Sequence, residues 1–294
     1  PPGRHVILCC DCEGTEAQLY RIFRVIQRAQ VAANFFFVGE TARAYPRLVR
    51  RIARSHQTES HTMSHLNLRT LSYRRQRREI LDGKAAVEDV IQRPTHGFRA
   101  PMHHMNRDTV RILNEEGFVF DASRLYFRYD MGNVHELDPT WFREWMPLYE
   151  RAGIKPHTAF RFFQFLTKIK RVCVLPVHPH YSGKSEELLM AFHWFLTDAK
   201  KRGVHFWYIN DWLEKTRGVP RPRWFLESQP IRPGVELPNH QEPNKVNDGI
   251  SEMAGVWLTW GGFALYVLFY WIFTGSPVDG LIFWFIPLTG AMFY

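Results

Sequence analysis

The sequence predicts an α/β fold built on a parallel sheet or an α/β barrel, and three observations support this prediction. Apolar segments of strand length alternate with helical segments of roughly 10 to 18 residues over much of the chain. The strand segments are apolar throughout, as expected for strands that are covered on both faces. Acidic, basic or histidine residues follow directly after several of these strands, at the edge where such folds gather their functional residues.

The first part of the chain opens with an apolar strand that leads into an acidic residue, Asp11. Apolar residues at helical spacing, from Leu19 to Ile26, predict the first helix. Thr41 is placed to cap a later helix that is expected to run to about Ser55. The predicted strands occupy residues 5–10, 33–38 and 97–101. The predicted helices occupy residues 15–30, 41–55 and 73–91.

The alternation continues after residue 100, with one aromatic interruption. Asn106 is expected to cap a helix that Gly117 ends, and the next strand ends at Asp121. Residues 125–170 interrupt the pattern; they are expected either to cap a barrel mouth and stack on a sugar ring or to pack on the core as an irregular insertion. Further strands are predicted at residues 118–120, 171–177 and 205–209. Further helices are predicted at residues 106–116 and 185–202. The aromatic residues of the interruption include Tyr126, Phe127, Tyr129, Trp141, Phe142 and Trp145.

The charge of the chain indicates an anionic partner. The 294 residues carry a formal net charge of +9, which suits phospholipid head groups, phosphorylated carriers, acidic glycans or nucleic acid. No nucleic-acid-binding motif supports the last of these. Many arginines lie in helical stretches, where solvated helix faces explain most of them.

The cysteines are predicted to be buried free thiols. Cys9, Cys10, Cys12 and Cys173 lie in apolar, strand-like runs. Their spacing fits neither a zinc ribbon nor a disulfide framework. Free thiols favour a reducing compartment.

The composition changes near residue 218, which divides the chain into three predicted parts. Residues 1–217 form the barrel, and residues 218–253 are rich in proline and charge, as in a linker. Residues 254–274 carry no charge and are long enough to cross a bilayer core of about 30 Å. After a tight turn, residues 281–294 are apolar again. Residues 254–294 are therefore predicted to form a transmembrane hairpin, and its second span is expected to be cut short by the end of the given sequence. A buried helical hairpin of a soluble protein is the alternative.

The membrane face is only weakly indicated by the sequence. Lys245 before the first apolar run and Asp279 in the turn are too few charges for the positive-inside rule to decide. The chain begins at Pro1 without a methionine or a signal-peptide pattern, so its natural start is expected to lie upstream. The missing export pattern and the free cysteines favour a cytoplasmic barrel.

Two histidines spaced four residues apart, His61 and His65, are the clearest candidate metal ligands. On a helical turn this spacing places both imidazoles on one face, as in zinc hydrolases. An acidic triplet, Asp11-Cys12-Glu13, ends the first strand. Because residues two apart on a strand point to the same side, both carboxylates are expected to face one site.

These motifs together resemble the polysaccharide deacetylase family, also called the NodB-homology domain or carbohydrate esterase family 4. Residues 60–68 look like the family's His-Ser/Thr-x-x-His element, and residues 97–101 look like its Arg-x-Pro turn. Residues 117–123 and 175–178 resemble the later elements. The resemblance covers about residues 5–212 and implies a distorted (β/α)7 barrel. One departure is that Cys12 separates the two acidic residues that are adjacent in the usual family element.

The resemblance implies a metal-dependent hydrolase that removes an acyl group from an amino sugar. Glu13, His61 and His65 would hold the metal, with zinc as the default and cobalt, nickel, iron or manganese as alternatives. Asp11 would be the base, although the roles of Asp11 and Glu13 are interchangeable on the sequence alone. Arg99 would hold Asp11 ionised or, alternatively, brace the barrel through Asp121.

Two further assignments complete the predicted site. His178 would donate a proton to the departing amine, with His180 as the alternative donor, and Asp121 would orient His178 or Arg99. The expected partners are an N-acylated amino-sugar polysaccharide or lipid-linked saccharide and a membrane, and not nucleic acid. The alternatives are an amidase that acts on a small non-sugar amide and an inactive barrel that binds a glycan or lipid.

Overall fold

In the described part of the chain, eight parallel strands form one sheet that curls into a half-barrel. The computed structural model describes residues 3–123, 130–137, 139–140 and 155–220. The sheet order is β6-β5-β4-β3-β2-β1-β7, and β8 pairs with the start of β1. The strands are β1 His5–Cys12, β2 Asn34–Phe37, β3 Gln57–Ser60, β4 Gly97–Phe98, β5 Phe120–Asp121, β6 His135–Glu136, β7 Val172–Val177 and β8 His205–Phe206. The predicted parallel α/β class is confirmed, and the half-barrel fits a (β/α)7 barrel.

Helices cover the outer face of this sheet. Thr15 caps the first of them through a reciprocal pair of hydrogen bonds with Gln18, and the predicted apolar stripe of that helix is buried. Asn106 caps a later helix with Thr109 in the same way, as the sequence predicted. The helices are α1 Glu16–Ala29, α2 Gly39–Ala44, α3 Pro46–Ala53, α4 Tyr73–Ile91, α5 Arg107–Glu115, α6 Pro156–Ile169, α7 Pro179–Ser182, α8 Glu186–Lys201 and α9 Ile209–Arg217.

The alternation of side chains along β1 separates the two cores of the half-barrel. Val6 and Leu8 join the core between the sheet and the helices, whereas Ile7 and Cys9 join the core inside the half-barrel. Asp11 has the same parity as Ile7 and Cys9, so it extends the inner face to the end of the strand. The four cysteines are free and buried, as predicted.

Two local predictions were wrong. The helix expected to start at Thr41 starts at Gly39 and is divided at Tyr45, because Pro46 opens a new helix there. The strand expected over residues 205–209 ends at Phe206, and α9 begins at Ile209.

Strand β3 was missed because its four residues, Gln-Thr-Glu-Ser, are polar. They are nevertheless fully buried. The carboxylate of Glu59 accepts hydrogen bonds from Gln57 Nε2 and from the backbone N–H groups of His96 and Gly97. These bonds satisfy a polar strand inside the protein, so no apolar pattern marks it in the sequence.

The predicted linker and apolar C-terminal runs, residues 218–253 and 254–294, lie almost wholly outside the described residues, as do the aromatic side chains named in residues 125–145. Within the described ranges, the helices are all too short or too polar to cross a bilayer. The division of the chain into barrel, linker and hairpin therefore stays a prediction.

His56 gives the fold a predicted sensitivity to acid. Its ring is buried among Phe23, Phe35 and Tyr208, and neither ring nitrogen has a hydrogen-bond partner. Burial lowers the pKa of His56 from 6.5 to about 3. Because the folded pKa is depressed, the unfolded chain binds a proton below pH 6.5 that the folded chain does not, and stability falls as the pH falls. The loss attributable to His56 at pH 5 is about 2 kcal/mol.

Replacing His56 by Phe is therefore expected to reduce the difference in unfolding free energy between pH 7 and pH 5 by about 2 kcal/mol. Urea unfolding at the two pH values measures this difference. An unchanged pH dependence in His56→Phe would mean that the ring is protonated as readily in the folded state as in the unfolded state.

Candidate active site

The carboxyl ends of the central strands bring the predicted site residues together at one edge of the half-barrel. Asp11 and Glu13 lie at the end of β1, and His61 follows β3 directly. Arg99 follows β4, and His178 follows β7. Parallel strands end on the same edge of a sheet, so this convergence is a consequence of the topology.

Glu13, His61 and His65 form a compact group of three potential metal ligands. One ligand atom from each residue lies within 4.8 Å of the others. Glu13 Oε1 is 3.9 Å from His61 Nε2 and 3.0 Å from His65 Nε2. Neither Nε2 atom is placed for a hydrogen bond, although both are shielded from solvent. Three converging ligand atoms without hydrogen bonds among them suit a shared cation, so these residues fit a divalent metal.

The backbone fixes which nitrogen of His61 faces this group. His61 Nδ1 lies 2.7 Å from the carbonyl oxygen of Arg99. A carbonyl only accepts, so Nδ1 carries the proton and donates it, which leaves the Nε2 lone pair directed at Glu13. The same backbone segment therefore orients the histidine and places the Arg99 side chain.

The predicted helical turn at His61 and His65 was wrong. Residues 61–67 form an irregular loop, in which Thr62 and His65 adopt left-handed φ values of 63° and 57°. The two left-handed residues reverse the chain so that the imidazole centroids come within 4.9 Å. The sequence spacing selected two histidines that lie together in the structure, but the local geometry that it predicted is not the one observed.

Helix α4 holds this loop in place. The Glu79 carboxylate accepts hydrogen bonds from Ser64 N and Ser64 Oγ, at 3.0 and 2.8 Å. Gly83 packs against the loop backbone so closely that an added Cβ would lie 2.2 Å from the carbonyl carbon of Thr62. The charged helix predicted at residues 73–91 is thus a support for the histidine loop.

The Glu13 carboxyl is held in its ionised form. Burial raises its pKa, but the facing imidazoles of His61 and His65 outweigh burial and hold the pKa of Glu13 well below its usual range. An ionised carboxylate beside two histidines is the donor set that zinc and related divalent metals prefer.

The Asp11 carboxylate lies between the side chains of Arg99 and His178. Its Oδ1 atom is 2.6 Å from Arg99 Nε, and its Oδ2 atom is 3.3 Å from His178 Nε2. Burial opposes ionisation, but Arg99 and then His178 hold the pKa of Asp11 well below its usual range. The carboxylate is therefore charged, oriented and close to a histidine.

His103 is a site residue that the sequence did not indicate. Its Nε2 atom lies 3.3 Å from Arg99 Nη2, and its Nδ1 atom lies 2.8 Å from the Ser123 carbonyl. Nδ1 donates to that carbonyl, so Nε2 accepts from Arg99. Burial and the adjacent guanidinium lower the pKa of His103 to about 3, which keeps it neutral. Only the fold reveals this pairing, because nothing in the sequence marks one of 14 histidines as the partner of an arginine.

Replacing His103 by Leu is expected to lower kcat about tenfold or more, since Arg99 loses an acceptor and its grip on Asp11 loosens. His103→Gln offers one donor and one acceptor and should restore most of kcat. The measurement is kcat and KM with metal content in parallel. Equal loss in the Leu and Gln variants would contradict the proposed hydrogen-bonding role.

Asp121 and His180 lie at the margins of the site. The Asp121 carboxylate accepts hydrogen bonds from Ser123 N and Oγ, and Ser123 Oγ accepts from Ala100 N. Burial raises the pKa of Asp121 to about 6. His180 Nδ1 is 3.6 Å from Glu13 Oε2, and burial lowers its pKa to about 4. His178 thus faces Asp11, whereas His180 faces Glu13.

Comparisons with known proteins agree with this fold. Residues 1–120 match the family model described as polysaccharide deacetylase. A Mycobacterium smegmatis protein described as a polysaccharide deacetylase is 25% identical with a TM-score of 0.60, over 70% of this chain and 80% of that one. A family 4 carbohydrate esterase from Streptomyces lividans, in complex with acetate, is 14% identical with a TM-score of 0.54, over 70% and 93% of the two chains. A family 4 pseudoenzyme from Bacillus anthracis is 17% identical with a TM-score of 0.55, over 72% and 66%.

The fold and the family match define the class of the protein: a hydrolase that acts on amide bonds of sugars. Residues 1–120 carry this match to the polysaccharide deacetylase family, and the solved structures with a similar fold include members of carbohydrate esterase family 4.

Proposed function

We propose that the barrel is a metal-dependent N-deacetylase that hydrolyses the acyl amide of an amino sugar in a polysaccharide or a lipid-linked glycan. The observation that carries this proposal is the pairing of two groups at one strand edge. Glu13, His61 and His65 converge on one point, and beside them Asp11 lies between Arg99 and His178. The first group suits a metal, and the second group suits proton transfer.

Glu13, His61 and His65 would hold the metal, with zinc as the first choice and cobalt, nickel, iron or manganese as alternatives for the same donors. A divalent metal at this position supplies Lewis-acid activation of water and of the amide carbonyl. The hydrogen bond from His61 Nδ1 to the Arg99 carbonyl keeps the Nε2 lone pair available for this purpose.

Asp11 is the proposed general base. Its charge is maintained by Arg99 Nε at 2.6 Å, so it is ready to accept a proton from water as the water attacks the amide carbon. The new carbon–oxygen bond forms as the proton passes to Asp11. A carboxylate that is buried and fixed on both oxygens needs little reorganisation for this step.

His178 is the proposed proton donor to the leaving amine. Its Nε2 atom lies 3.3 Å from Asp11 Oδ2, so the proton taken from water has a short path to the imidazole. The carbon–nitrogen bond then breaks as Nε2 protonates the nitrogen, which leaves acetate or another acid and a free amino sugar. His180 faces Glu13 and is the less suitable donor.

An active site is favoured over a binding-only barrel by the arrangement of the acidic triplet. The Cys12 thiol donates to the Cys10 carbonyl and is buried away from solvent. Asp11 and Glu13 on either side of it both reach the histidines. With Cys12 between them, Asp11 and Glu13 therefore both point into the site.

Acetate release from acetylated amino-sugar oligomers and polymers tests this proposal. The full chain is assayed as purified, after chelation, and after addition of each candidate metal. We expect release that chelator abolishes and one or more metals restore. His205→Ala is the matched control for His61→Ala, because His205 is an exposed histidine at the other end of the strands. No acetate release in any metal state would overturn the proposal.

A further inference from the structure

A basic and apolar patch lies where α6 ends and β1 begins. It consists of Arg4, Phe165, Lys168, Ile169 and Lys170. Phe165 and Ile169 lie four residues apart on one face of α6 and are 42% and 55% exposed. Arg4 Nη1 donates to the carbonyl oxygen of Lys170, which joins the start of β1 to the end of α6. Large apolar side chains at this exposure, surrounded by cations, mark an interaction surface.

The cations of this patch are not neutralised within the described part of the chain. Arg4, Lys168 and Lys170 are exposed and form no ion pair with a described acidic residue. The nearby carboxylate of Asp198 is bound by Arg202 Nε at 2.7 Å and by Gln164 Nε2. Against burial, Gln164 and Arg202 lower its pKa most, and the charge of Lys168 contributes less. The patch therefore presents a net positive field around an apolar centre.

The patch and the candidate active site lie at opposite ends of β1. Arg4 precedes the strand, whereas Asp11 and Glu13 lie at its end. A rise of about 3.3 Å per residue separates the two ends by about 20 Å. The segment that leads into α9 also lies at this end of the barrel, because the backbone N–H of His205 donates to the carbonyl oxygen of Arg4.

We propose that this patch docks on a membrane surface that contains anionic phospholipid. Exposed lysine and arginine side chains are attracted by anionic head groups, and Phe165 and Ile169 are suited to enter the boundary between head groups and acyl chains. A second copy of the chain is a poor occupant, because an isologous contact would place like charges together. An acidic glycan would satisfy the cations but offers no hydrocarbon layer to Ile169.

This orientation bears on the substrate, a point that rests on the proposed deacetylase function. With the patch on the lipid surface, the strand edge that carries Glu13 and His61 faces away from the bilayer. An extended glycan chain reaches that edge more readily than a sugar held at the lipid head groups. The inference therefore favours a polymer over a short lipid-linked saccharide.

A fluorescence experiment on the full chain tests the docking separately from catalysis. An environment-sensitive dye is attached at Ile169→Cys, and the protein is reconstituted into vesicles of phosphatidylcholine with or without phosphatidylglycerol. The native cysteines are buried and are poor targets for the label. Met190→Cys is the matched control, because Met190 is 52% exposed on the neighbouring helix α8. We expect a blue shift and quenching by acyl-chain quenchers at position 169 only, and only with phosphatidylglycerol.

Charge-reversal variants and high salt test whether the docking depends on electrostatic attraction. Lys168→Glu with Lys170→Glu should shift the docking equilibrium at the labelled position by about tenfold or more toward the undocked state. Salt at 1 M, where the Debye length is about 3 Å, should do the same. Equal signals at positions 169 and 190, or in neutral and anionic vesicles, would overturn the proposal. A shift that depends on protein concentration without vesicles, or that only an acidic polysaccharide produces, would also overturn it.

Discussion

Replacing Asp11 by Asn is expected to lower the rate of acetate release by a factor of about 10² to 10⁴ and to leave the metal in place. The lower and upper limits are those typical for loss of a positioned acid or base. Asn has nearly the shape of Asp and can still contact Arg99, which lies 2.6 Å from Oδ1, but it cannot take a proton from water. The metal ligands in the proposed assignment are not altered.

Paired measurements of kcat/KM and metal content check this prediction, with Asp198→Asn on the surface helix α8 as the control. The result also decides between the two acidic residues. If Asp11→Asn loses the metal and Glu13→Gln keeps it, the roles of ligand and base are reversed. If Asp11→Asn keeps both metal and more than a tenth of the activity, Asp11 is not the base.

Replacing Arg99 by Met is expected to destabilise the protein by about 3 to 5 kcal/mol and to abolish activity. Arg99 is completely buried and is among the largest fully buried side chains of the described residues. Its guanidinium pairs with Asp11 and donates to the Ala122 carbonyl through Nη1, at 2.6 Å. Removing it leaves a buried carboxylate without its positive partner, and that unpaired charge is the main cost.

Urea unfolding of a double-mutant cycle measures this effect. Asp11→Asn in the Arg99→Met background removes the unpaired charge, so the double variant should recover part of the lost free energy of unfolding. Strictly additive losses would show that Arg99 acts through its other contacts, such as the one with Ala122, and that it does not stabilise the charge on Asp11.

Much of the fold follows from apolar patterns in the sequence. Strand β1 and helix α1 were predicted to within two residues, since β1 is apolar for most of its length and α1 has a capping box and a buried stripe. Strand β3 could not be found in this way, because its burial depends on hydrogen bonds to Glu59 from a distant segment. The break at Tyr45 was missed although Pro46 follows it in the sequence.

The convergence of the candidate site residues was predictable from the sequence, whereas their local geometry was less so. Arg99 and His178 were chosen because each follows a predicted strand, and His61 was chosen for its spacing to His65; the sheet brings all three to one edge. The left-handed backbone of Thr62 and His65, by contrast, is set by packing on α4, and no spacing rule describes it. His103 acts through Arg99, so its place depends on tertiary structure alone.

Metal content is the measurement that tests the central claim most directly. The full chain, His61→Ala, Glu13→Ala and the control His205→Ala are purified in parallel and assayed by elemental analysis after equilibration with zinc. We predict close to one metal ion per chain for the unaltered protein and the control, and a loss of metal in both His61→Ala and Glu13→Ala. A folded, unaltered protein that binds no divalent metal, or variants that retain it fully, would contradict a metal centre built from Glu13, His61 and His65.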